Sequence, residues 1–140
     1  MTSIRFYSNA DDRLQAAAAW LAASWRKQPV LVYAPDPDVA ERLDRMLWIQ
    51  PATGFLPHCR AESPLAPQTP VLIAGALESL PQDRCLLNLS NEVPPGFSRF
   101  EELVEIVSTA DDDRLPARER FRFYRDRGYA VENRNAADGC

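Results

Sequence analysis

The chain has 140 residues, 46% of them apolar, and a formal charge of −4. That length suits one domain with a real core, and the negative balance excludes broad, unspecific coating of DNA, so any anion site must be local. No apolar run approaches the roughly 18 residues of a transmembrane helix, MTSIRFYSNADD lacks a basic region followed by an apolar block, and Cys59, Cys85 and Cys140, odd in number and without CxxC spacing, suit a reducing cytosol.

In chain order, SIRFYS (3–8) alternates apolar and polar residues and is predicted to be a first strand. NADD supplies capping oxygens for a helix near 11–26, with Leu14, Ala17, Ala18, Leu21 and Trp25 at helical spacing. VLVYA (30–34) is a short apolar run of the kind a doubly covered strand needs. PDPD opens a second helix carrying Val39, Leu43, Met46 and Leu47, which Pro51 ends. VLIA (71–74), CLLNL (85–89) and ELVEIVS (102–108) are further strands, the last preceded by a short helix at 97–101. A final helix runs from about Asp113 to Arg127, with Gly128 at the position of a left-handed cap. The alternation predicts an α/β, Rossmann-like, three-layer fold with a mostly parallel central sheet, opening on a βαβα unit. One domain spans 1–132, and 133–140, without apolar periodicity, is a flexible tail.

Catalytic motifs are missing. The loop after the first strand, SNADD, has no glycine, so neither GxGxxG nor a P-loop is present. His58 and Cys59 are adjacent, which points their side chains apart and makes a poor nucleophile–base pair or metal site. His58 therefore reads as structural or interfacial, and Asp111, Asp112 and Asp113 as a helix cap and dipole partner. No cofactor or metal is expected.

Two segments stand out. Fifteen of the sixteen basic residues are arginines, and six of them lie between 114 and 127. At about 100° per residue, Arg114, Arg118, Arg122 and Arg125 share one stripe. Phe121 is at its edge, Ala117 and Tyr124 turn inward, and Arg120 and Arg127 project elsewhere. Guanidinium groups beside an aromatic fit a ligand with carboxylates and an apolar anchor; a solvated, self-paired face fits the pattern equally. The second segment, RLDRMLWIQPATGFLPHC (42–59), places Trp48, Ile49, Phe55 and Leu56 around two prolines. It reads equally as a partner surface or a plug at the edge of the core.

Together these segments resemble a known family. LDRMLWIQPATGFLPH (43–58) and PARERFRFYRDRGY (116–129), with Ile4, Phe6 and Tyr7 ahead of them, resemble the chi subunit of bacterial DNA polymerase III holoenzyme over about residues 3–131. The resemblance implies a non-catalytic accessory of the clamp loader. It also implies two partners, the psi subunit and the acidic, Phe-terminated tail of single-stranded-DNA-binding protein (SSB), with nucleic acid reached only through SSB and no membrane contact. Localisation would be cytoplasmic, at the nucleoid-associated replisome. Motif matching carries the tail site to Arg118, Phe121, Arg122 and Arg125, with Val107 as an apolar wall. It carries the psi surface to Trp48, Phe55, Pro57 and His58. The family more often has Tyr and Lys where this chain has Phe121 and Arg122, so charge and apolar cover remain while a phenolic hydroxyl is lost. The alternatives are a small Rossmann-like nucleotide-binding enzyme and a direct binder of single-stranded DNA.

Overall fold

A computed structural model describes residues 2–49, 56–77 and 83–135. In chain order the elements are β1 (Ser3–Ala10), α1 (Arg13–Ser24), β2 (Val30–Tyr33), α2 (Pro37–Ile49), β3 (His58–Arg60), β4 (Val71–Ala74), β5 (Cys85–Asn88), β6 (Glu102–Ser108), α3 (Asp111–Asp126) and β7 (Val131–Asn135). The described strands form one sheet in the order β3-β4-β2-β5-β6-β1-β7. Every pairing is parallel, so the expected mostly parallel sheet is wholly so. β1 and β2 are not neighbours, because β5 and β6 lie between them.

Strand alternation splits the core into two layers. Val30 and Val32 of β2 face α1 and α2, with Leu14, Leu21, Leu43 and Leu47. Leu31 and Tyr33 face the other way, in the cluster that holds Ala117 and Tyr124 of α3. All four β2 residues are buried, as a strand covered on both faces requires. Each such aliphatic side chain contributes about 1.5–3 kcal/mol. Helices on both faces of the sheet make three layers.

The helix ends follow their local chemistry. Asp12 caps α1 by accepting the Gln15 N–H at 2.9 Å. Gly128, at φ 87°, closes α3: its N–H donates to the Arg125 carbonyl at 3.0 Å and the Tyr129 N–H to the Tyr124 carbonyl at 3.2 Å. This double bond pattern needs a left-handed residue, which glycine adopts without strain.

Several expectations are corrected. The helix near 97–101 is a shorter 3-10 turn, Phe97–Arg99, entered through Gly96 at φ 74°. α3 starts at Asp111, so Pro116 lies in its second turn rather than its first. Its ring removes one helical hydrogen bond, to the carbonyl of the exposed Asp112, where water takes its place. β3 is a strand of three residues that no apolar pattern announces. The strand β7 extends to Asn135, so 133–135, expected in the tail, pair with β1. Pro51, Phe55 and 136–140 lie outside the described residues.

Candidate functional site

α3 crosses the C-terminal ends of β1 and β6, and a hollow of about 430 Å³ opens beneath one of its flanks. Phe6, Val107, Ala117 and Phe121 supply its apolar lining. Phe6 and Phe121 meet edge to face with ring centroids 5.2 Å apart, which fixes the aromatic floor between strand and helix. Arg114, Arg118, Arg122 and Arg125 border the same hollow. The stripe predicted from helical spacing is therefore a rim, and Val107 is its wall. No carboxylate lines the hollow among the described residues.

The guanidinium groups are not locked inward. Arg114 pairs with Asp111 at 2.5 Å, Arg122 with Glu119 at 3.4 Å and Arg125 with Asp126 at 3.8 Å, all on exposed side chains. Exposed pairs of this kind are worth only about 0–1 kcal/mol, so an incoming carboxylate displaces them at little cost. Arg118 has no acidic partner within 4.0 Å among the described residues.

What holds α3 in place was not legible as a site. Glu105, fully buried on β6, accepts from Arg120 Nε (3.2 Å) and Nη2 (3.1 Å), Tyr124 Oη (2.7 Å) and Asn88 Nδ2 (2.9 Å). Arg120, set aside in the sequence as projecting elsewhere, is thus an internal tie. Burial, reinforced by the Glu105 charge, pushes the Tyr124 phenol well up, so it stays a hydrogen-bond donor. A second tie comes from α1. Arg13 donates to the carbonyls of Ile106 (2.8 Å), Asn88 (3.2 Å) and Ser90 (2.8 Å), and its Nη1 lies 3.3 Å from Asp113 Oδ1. Asp113 in turn accepts the Ser108 N–H at 2.7 Å, so of the three aspartates this one links strand end, helix and Arg13. The end of β5 and β6 is where open parallel sheets take nucleotides; here a guanidinium fills it.

The second segment divides. Trp48 is 59% exposed and Ile49 76% exposed at the end of α2, whereas Leu56 is buried in the core. His58 is buried under Trp48, the two rings edge to face at 4.9 Å. Its Nδ1 is 2.8 Å from the Leu56 carbonyl and its Nε2 3.2 Å from Asp44. Pro57 is half-buried beside it. Phe55 lies outside the described residues. No described helix is long and apolar enough to cross a membrane.

The family model described as "DNA polymerase III chi subunit, HolC" matches residues 1–132. This chain belongs to the DNA polymerase III chi subunit family. It is 32% identical to the DNA polymerase III subunit chi of Pseudomonas aeruginosa over 139 residues, covering 95% of this chain and 96% of that protein. It is 34% identical to the Escherichia coli chi subunit over 110 residues, covering 77% and 75%, and 28% identical to that of Haemophilus influenzae over 125 residues, covering 87% of each. The chi family comprises accessory subunits of a replicative polymerase, not catalytic ones, and this chain is one of them.

Proposed function

We propose that this chain is a bridge in the clamp-loader assembly of DNA polymerase III. One surface, built on Trp48 with Phe55, Pro57 and His58, holds the psi subunit. The groove under α3 holds the acidic, phenylalanine-terminated tail of SSB, so that DNA is reached through SSB. One observation carries the reading of the groove: four arginines rim an apolar hollow that no described carboxylate lines. A peptide end brings the complementary parts, carboxylates for the rim and an aromatic side chain for the floor of Phe6, Val107 and Phe121. Arg118 takes the lead because it has no competing acid. Tethering many SSB tails near one groove raises effective concentration, so a modest contact suffices.

The test is titration of an SSB tail peptide into wild type and Arg118→Ala, read by fluorescence anisotropy. The variant is expected to lose roughly 1.5–3 kcal/mol of binding, the range for hydrogen bonds to charged groups. Equal affinity for the two proteins removes the groove from the proposal.

A further inference from the structure

The charge on α3 is divided between its flanks. The arginine groove borders one; a hollow of about 600 Å³ borders the other, against the segment 91–93 that follows β5. Val93, Pro116 and Phe123 give this second hollow an apolar wall, and Glu92, Glu119 and Asp126 place three carboxylates around it. Arg122 borders both hollows and lies 3.4 Å from Glu119. Arg120 also lines the second hollow, but its charge is matched by Glu105. The rim therefore carries an excess of negative charge, the reverse of the groove on the opposite flank.

Arg120 supplies an independent observation. The residue is 2% exposed. Its Nε and Nη2 are committed to Glu105, and the planar fork turns Nη1 away from that carboxylate. Nη1 is buried and has no hydrogen-bond partner among the described residues. A buried donor left unmade costs about 1–3 kcal/mol, and an oxygen acceptor brought into the hollow recovers it.

We infer that this hollow binds a basic peptide segment of a partner protein, with one lysine or arginine side chain among Glu92, Glu119 and Asp126 and a main-chain carbonyl oxygen on Arg120 Nη1. The wall of Val93, Pro116 and Phe123 covers the methylene stem of the cationic side chain. An anionic ligand is repelled by three carboxylates. A bare cation leaves Nη1 unsatisfied, and so does an apolar side chain. Only a cation carried on a peptide answers both features. The site stands apart from the arginine groove, and its occupant has the opposite charge.

The experiment is a two-dimensional NMR titration of the full chain with acetyl-glycyl-arginyl-glycine amide, which has neutral ends, one cation and several carbonyls. Saturable shifts are expected at the amides of Val93, Glu119 and Phe123. The citrulline analogue, which lacks the charge, should bind at least about tenfold more weakly. Glu119→Gln should weaken the arginine peptide, while Arg122→Gln, by removing the competing cation, should tighten it by up to about fivefold. Shifts spread evenly over the acidic surface, equal affinity for the citrulline peptide, or methylguanidinium binding as tightly as the peptide would each overturn the inference.

Discussion

Arg120 on α3 grips Glu105 on β6 through two hydrogen bonds, at 3.1 and 3.2 Å, with both side chains withdrawn from solvent. Four donors converge on that carboxylate, so the helix that rims the arginine groove is fastened to the sheet by a polar tie inside an apolar layer. Removing one partner of a buried pair leaves the other charged and unmatched, which costs about 3–5 kcal/mol. Glu105→Ala is therefore expected to lose that much stability in urea unfolding. The double change Glu105→Leu with Arg120→Met should recover part of it, because no lone charge remains. A loss below about 1 kcal/mol in Glu105→Ala would show that the tie does not hold the helix.

Trp48 and His58 touch, yet they have different burdens. Trp48 is largely exposed, while His58 is enclosed beneath it between Leu56 and Asp44. Trp48→Ala is expected to leave the unfolding midpoint nearly unchanged and to weaken capture of psi by about 2 kcal/mol or more, as an exposed aromatic anchor does. His58→Ala should lower stability first. Equal psi binding by wild type and Trp48→Ala, measured by calorimetry, would return Trp48 to the role of a plug at the edge of the core.

The sequence disclosed what periodicity can carry. β2 and β4 are apolar runs because both their faces are covered. The arginine stripe needed only the helical repeat to align Arg114 with Arg125. β7 escaped because only Val131 of VENRN is even partly buried: an edge strand is held by main-chain hydrogen bonds, which leave no side-chain pattern. β3 is too short for any pattern to show. The Glu105 tie joins residues 15 apart across a strand and a helix, beyond the reach of local spacing. It did leave one mark: a glutamate between Leu103–Val104 and Ile106–Val107, inside a run that must be buried, has to find a cation.

Alkaline pH should weaken the fold in a window set by its buried acids. Burial, with the hydrogen bond to Glu92 behind it, pushes the Tyr33 phenol from 10.0 up to about 12. The folded state thus holds this proton more tightly than the unfolded chain. The resulting stabilisation is complete below pH 10 and is lost as pH rises toward 12. Tyr33→Phe is expected to flatten the fall of unfolding free energy over that interval. A residual slope should remain from Tyr124 and Cys85, whose protons burial also retains. Identical slopes for wild type and variant would exclude Tyr33 as a contributor.

The groove also sets a salt dependence. Its rim is four exposed guanidinium groups, and their attraction for a carboxylate-bearing peptide is screened over a Debye length that shrinks from about 10 Å at 0.1 M to about 3 Å at 1 M salt. The floor of Phe6, Val107 and Phe121 is apolar and does not weaken with ionic strength. Affinity for the SSB tail peptide is therefore expected to fall as salt rises and then level off at the apolar remainder. Phe121→Ala should lower the plateau while keeping the initial slope, and Arg118→Ala should reduce the slope. Binding that stays flat from low to high salt would mean that the arginine rim does not meet the peptide's charges, whatever the floor contributes.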